Sequence, residues 1–231
     1  MEGLQAFALG AVAQSSLLLA GLAVYWIRPG EKVIGALSGF GAGALISAVA
    51  FDLIPQAEAL EYWETAIWLL VGALIFVIAD GLVERRFGAG DESGPMGIVV
   101  GSVVDGVPES AIFGIQIATG QMLGAAFIGA VFVSNIPQAL APSAALAESG
   151  WKRARMAGMW GVVVIACGVT AWLGYLLGEA LGASGGRAAA IAAGGLLAML
   201  TDSLMPYAMQ KGGDQAGFWT VVGFVVSLAS S

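Results

Sequence analysis

Polar residues in this chain are confined to short intervals, and the apolar stretches between them are of membrane-crossing length. A hydrocarbon core of about 30 Å takes roughly 20 residues of helix. Eight stretches meet or approach that need, near residues 4–27, 33–56, 65–82, 97–117, 123–147, 156–181, 188–210 and 217–230. None shows the short two-residue alternation of a barrel strand. The pattern therefore predicts an all-α polytopic membrane protein, one transmembrane domain over residues 1–231 with eight helices. The first stretch is too long for a signal peptide and lacks a basic leader, since Glu2 is its only early charge. It reads as a true helix.

Composition narrows the functional classes. Hydrophobic residues make up 58% and charged residues 11%, against about 25% charged in soluble domains; the mean hydropathy is +0.87. The net charge is −7 with nine basic residues, and no basic patch offers itself to nucleic acid. The single cysteine, Cys167, excludes an internal disulfide and a cysteine-cluster metal site. Histidine is absent, which removes imidazole ligands and Ser-His or Cys-His catalysis. No nucleophile–base set is visible, so an enzyme is not expected, nor is a prosthetic cofactor.

The connecting segments are sorted by charge. Arg28, Lys32, Arg85, Arg86, Lys152, Arg153, Arg155 and Lys211 follow the odd-numbered stretches, and Arg187 alone lies on the opposite side. The positive-inside rule then places both termini on the extracytoplasmic side of a plasma membrane, here of the bacterial cytoplasmic type. Glu58, Glu61 and Glu64 lie on that outer side in a segment without a basic residue. They predict an acidic mouth that attracts cations. Glu148 and Lys152 are spaced for an i,i+4 pair. Trp63, Trp68, Trp151, Trp160 and Trp219 fall near stretch ends, where indoles favour the interface. The 35 glycines read mainly as close helix packing, and their small-residue faces permit a homodimer.

One pattern recurs within the apolar stretches. It reads Asp52-Leu-Ile-Pro55-Gln56, Asp105-Gly-Val-Pro108-Glu109, Ser134-Asn-Ile-Pro137-Gln138 and Ser203-Leu-Met-Pro206-Tyr207. Its first and fifth positions share a helix face. Proline lacks an N–H, so the carbonyls of Phe51, Val104, Val133 and Asp202 lose their helical partner. In lipid such a carbonyl must find another partner or line a cavity. Each motif thus offers a kink, a bare carbonyl and up to two polar side chains. Asp105 and Glu109 carry the strongest signal, because a carboxylate at mid-membrane costs at least ~2.5–3.5 kcal/mol. A metal ion or a transported proton would compensate them. In the predicted orientation Asp52 and Gln56 lie towards the outside, the motifs of the fourth and fifth stretches at mid-depth, and Asp202 and Ser203 towards the inside. That order suggests entry, site and exit. The texts before Pro55 and Pro206 are similar and run in opposite directions, which points to an inverted repeat flanking the fourth and fifth stretches.

Eight stretches, outer termini and these proline motifs resemble the ZIP (Zrt/Irt-like) metal-transporter family. The family's fourth-span motif reads roughly His-Asn-x-Pro-Glu-Gly; here it is Asp105-Gly106-Val107-Pro108-Glu109-Ser110, and the fifth is Ser134-Asn135-Ile136-Pro137-Gln138-Ala139. The resemblance implies a 3+2+3 helix bundle that moves a divalent metal cation. It implies that Asp105, Glu109, Ser134 and Gln138 surround a primary ion, with Gly106 and Asn135 at a second. It further implies two moving bodies, spans one, four, five and six against two, three, seven and eight. Departures are the loss of the family histidine to Asp105, of the fifth-span carboxylate to Gln138, and a Gly106 without ligand atoms, which argues for one ion. Oxygen ligands alone suit manganese, magnesium, iron(II) or calcium, and zinc also accepts carboxylates. Two alternatives stay open: a homologue that carries another solute or regulates a partner, and a proton-coupled carrier using Asp105 and Glu109. The expected partners are the metal cation and the bilayer.

Among other polar residues, Asp80 reads as a solvated or ion-paired helix end, Ser47 as bonded to its local backbone, and Gln116, Thr119 and Gln121 as an outer loop.

Overall fold

The computed structural model describes residues 1–58, 60–87, 94–120, 125–180 and 185–230. Gln121 and residues 88–93, between the third and fourth stretches, lie outside them. The described residues are helical without strands, in eight helices: α1 Glu2–Ala23, α2 Glu31–Ala57, α3 Tyr62–Phe87, α4 Gly94–Ala118, α5 Ala125–Glu148, α6 Arg153–Ala180, α7 Gly186–Gly212 and α8 Gln215–Leu228. Six of them (α1, α2, α3, α5, α6 and α7) are long and apolar enough to cross a membrane. With its 14 residues, α8 reaches about 21 Å at 1.5 Å per residue. The outward faces of α3 and α6 are apolar, with Leu70, Leu74, Ile78, Val162, Ile165 and Leu173 exposed. Such faces suit lipid rather than water. The protein is a membrane-embedded helical bundle.

Residues at the helix ends show which ends lie together. Arg28 pairs with Glu148, Lys211 with Glu31, and Arg153 stacks on Trp26. At the opposite end Arg187 pairs with Glu64, and Tyr175 Oη donates to Glu179 at 2.9 Å and lies 3.3 Å from Glu2. Successive helices therefore alternate in direction. Two expectations change here. Glu148 is partnered by Arg28 instead of Lys152, since the chain turns at Ser149–Gly150 and α6 begins only at Arg153. Glu64 does have a base, because the start of α7 brings Arg187 beside it at 2.8 Å. Trp160 is also no interfacial indole: it is fully buried, and its Nε1 donates to Ser143 Oγ at 2.8 Å.

Helices α2 and α7 share an irregularity. Each contains one π-helical turn, Val49–Leu53 and Leu200–Leu204, with the proline two residues beyond it at Pro55 and Pro206. The amides of Ile54 and Met205 bond five residues back, to the carbonyls of Val49 and Leu200. The wide turn absorbs the bond that proline cannot make.

Their packing against α8 and α3 is matched as well. A Cβ on Gly43 would strike the carbonyl of Thr220, and one on Gly194 the carbonyl of Leu69. A Cβ on Gly223 would strike the carbonyl of Phe40, and one on Gly72 that of Ile191. Gly194 follows Gly43 by 151 positions; Thr220 follows Leu69, Ile191 follows Phe40 and Gly223 follows Gly72 by the same interval. The two prolines, Pro55 and Pro206, keep that interval too. The close glycine contacts of α2 with α8 and of α7 with α3 thus recur at one interval. Backbones approach this closely only where side chains are absent, and the gain is van der Waals contact.

Two apolar clusters fill the interior. Val131, Ile112, Phe113 and Ala13 belong to one, and Leu17, Ala139, Leu140 and Trp160 to the other. On α1 the boundary falls between Ala13 and Leu17, on α5 between Val131 and Ile136. On α4, Val103 packs on the second cluster, whereas Val104 and Ile112 pack in the first. Gln14, Ser134 and Asn135 occupy those boundary positions, and Asp105, Glu109 and Gln138 lie next to them on α4 and α5.

Candidate functional site

The boundary is a polar layer. Asp105 and Glu109 stand one turn apart on α4, and both are buried, at 6% and 0% exposure. Ser134, Asn135 and Gln138 face the layer from α5 and are buried too. The described ion pairs (Arg28–Glu148, Arg187–Glu64 and Lys211–Glu31) all lie at helix ends, and every Lys and Arg of the sequence lies near a helix end. Among the described residues no positive side chain pairs with these carboxylates.

Hydroxyls and amides meet them instead. Ser203 Oγ donates to Asp105 Oδ2 at 2.7 Å. Ser134 Oγ lies 3.5 Å from Glu109 Oε1 and donates more closely to the Val131 carbonyl at 2.9 Å. Gln14 Nε2 donates to Glu109 Oε2 at 3.0 Å, and Asn135 Nδ2 donates to Gln14 Oε1 at 2.7 Å. Asp80 on α3 is near enough for its charge to act on Asp105. Four helices therefore converge on the pair: α1 through Gln14, α5 through Ser134 and Asn135, α7 through Ser203, and α4 itself.

The predicted residues divide accordingly. Glu109, Ser134 and Asn135 form one hydrogen-bonded set with Gln14, and Asp105 forms a separate pair with Ser203. Ser203 meets Asp105 directly, from the π-turn of α7. Gln138 is buried one turn beyond Ser134, its Nε2 without a hydrogen-bond partner among the described residues. Asp52 and Gln56 stand at the other end of α2, half-buried, with Asp52 Oδ2 enclosed and unbonded among the described residues. Asp202 is exposed beside Ser203.

Three residues depart from the sequence reading. Gln14 was not singled out; the only signal was a lone amide at the middle of α1. Ser47 is buried with no hydrogen-bond partner among the described residues, so it is not bonded to its local backbone. Gln116 belongs to α4 rather than a loop, and both of its buried amide atoms lack partners among the described residues.

Close helix approach sets the positions of these side chains. A Cβ on Gly41 of α2 would clash with Ser134, and Gly195 of α7 lies against the ring of Pro108. Small residues thus bring α2 and α7 onto the two proline motifs that carry the layer. No cluster of three or more acidic, cysteine or histidine side chains occurs among the described residues. The layer holds two acids supplemented by neutral oxygens. The chain matches no known family model and no curated protein.

Proposed function

We propose that the protein is a ZIP-like transporter that carries a divalent metal cation through the polar layer between α4 and α5. The single observation that carries this reading is the burial of Asp105 and Glu109, one turn apart, with hydroxyl and amide partners but no base. Two carboxylates at that depth lower their energy most when a cation sits between them. The atoms in reach are oxygens: Asp105 Oδ1, Glu109 Oε1, the hydroxyls of Ser134 and Ser203, and the Gln138 amide oxygen one turn along. Such a set suits manganese, iron(II) or magnesium, with zinc as a carboxylate-tolerant alternative.

The matched α2–α3 and α7–α8 pairs support an inverted repeat, and we extend it to a 3+2+3 bundle. Helices α1, α4, α5 and α6 pack with one another, while α2 packs with α8 and α3 with α7. That division favours two bodies moving past each other, with α2 against α5 and α7 against α4 at their interface. Ser203, on α7, would then leave Asp105 as the bodies move, releasing the ion on one side. The charge-sorted ends support an orientation with both termini on the extracytoplasmic side of the plasma membrane.

The presence of only two acids in the layer favours one second reading, a proton-coupled carrier in which Asp105 and Glu109 exchange a proton for substrate. Proteoliposomes loaded with a manganese-quenched dye separate the two. Manganese-dependent quenching, lost in Asp105→Asn and Glu109→Gln, supports metal transport. Proton movement without divalent-ion uptake supports the second reading.

A further inference from the structure

Gln14 has a geometry that an ordinary packing residue does not need. It is fully buried, and both ends of its amide are engaged by the site. An ionised carboxylate only accepts hydrogen bonds, so Glu109 fixes the Gln14 nitrogen towards itself. The Gln14 oxygen must then face α5, where it accepts from Asn135 Nδ2. That in turn directs Asn135 Oδ1 away, and it lies enclosed without a partner among the described residues. Gly106 lies beside the amide: a Cβ there would touch Gln14 Oε1 at an ordinary 3.7 Å and crowd Cys167 Sγ at 3.0 Å.

We propose that Gln14 limits the site to a single cation, a specificity role that rests on the transport reading above. Its amide stands between Glu109 Oε2 and Asn135, where a second ion shared by those residues would have to sit. The Nε2–H group offers Glu109 the partial positive charge that such an ion would supply. Glu109 is left with Oε1 for the ion it shares with Asp105 and Ser134. The neutral amide thereby holds one ligand oxygen in place and withholds the other.

The test is manganese stoichiometry on the detergent-purified full chain, by equilibrium dialysis, with electron paramagnetic resonance on the same samples. The native chain is expected to bind one manganese per chain and to give the spectrum of an isolated ion. Gln14→Glu adds a carboxylate at the amide's place, and Gln14→Ala vacates it. Both variants are expected to bind two ions, with spectra broadened by coupling between neighbouring manganese centres; the second ion binds more weakly in Gln14→Ala. A purely structural role predicts one ion and an unbroadened spectrum in both variants, with only lower melting temperatures, and that result overturns the inference. Two coupled ions in the native chain also overturn it. No manganese binding by any of the three removes the transport reading and this inference together, an outcome distinct from the others.

Discussion

Ser203 Oγ donates a 2.7 Å hydrogen bond to Asp105 Oδ2, which ties the π-turn of α7 to the proline motif of α4. This contact joins a helix of one packed group to a helix of the other. It is short because the wide turn sets Ser203 into the layer, while its neighbour Asp202 points outward. Where Ser203 stands on α7, Asp52 stands on α2 at the same 151-residue interval that relates the two prolines. The repeat is thus symmetric in backbone and asymmetric in chemistry: Ser203 donates to the site, whereas Asp52 brings a further acid near the opposite end.

Ser203→Ala removes a donor from a buried carboxylate. Hydrogen bonds to charged groups contribute about 1.5–3 kcal/mol, so the metal-free protein is expected to lose stability of that size. Thermal unfolding in detergent measures it. An unchanged melting temperature would mean that the contact carries no energy.

The glycine pairs give a sharper contrast. Gly194→Ala and Gly43→Ala would each place a methyl against a backbone carbonyl of the neighbouring helix. Overpacking of this kind costs about 1–3 kcal/mol, and more when backbones must move. Gly161→Ala on α6 meets nothing within 4 Å and is expected to stabilise by about 0.5–1 kcal/mol through helix propensity. If all three substitutions shift the melting temperature equally, the close helix approach described for α2–α8 and α3–α7 is wrong.

Orientation is open to a labelling experiment because the chain has one cysteine and it is buried, at 1% exposure. In intact cells native Cys167 should not react with a membrane-impermeant maleimide. On a Cys167→Ala background, Glu2→Cys should label from outside, and Lys152→Cys only after permeabilisation. The reverse pattern would invert the topology and place the acidic end inside.

The order of the helices was legible because each apolar stretch must exceed a fixed length, and the loops between them carry the charges. The proline motifs likewise marked α4 and α5, and on α4 the paired carboxylates Asp105 and Glu109 inside an apolar run have few explanations. Gln14 escaped notice because a single amide among Ser15, Ser16 and leucines has no spacing signature; only the fold brings α1 against Glu109. Ser203 read as part of an exit path, since a straight helix places it by depth alone and the π-turn is not encoded as a period. Arg28 displaced Lys152 as the partner of Glu148 because three-dimensional proximity of loops overrides i,i+4 spacing once the helix has ended. The repeat was visible as similar text before Pro55 and Pro206, but its constant interval emerged from the glycine contacts.

The central claim is that Asp105 and Glu109 hold a divalent cation, and its most direct test is ligand-induced stabilisation. A ligand that binds only the folded state raises stability by RT ln(1 + [L]/Kd), about 2.7 kcal/mol at one hundred times Kd. The purified protein should be melted against manganese, iron(II), zinc, cobalt, cadmium, magnesium and calcium, beside Asp105→Asn/Glu109→Gln, which keeps the side-chain shapes and removes both charges. The account predicts a rise in melting temperature that is selective among these ions, saturable, and lost in the double variant. No rise with any ion, or an equal rise in the native and double-variant proteins, would contradict it.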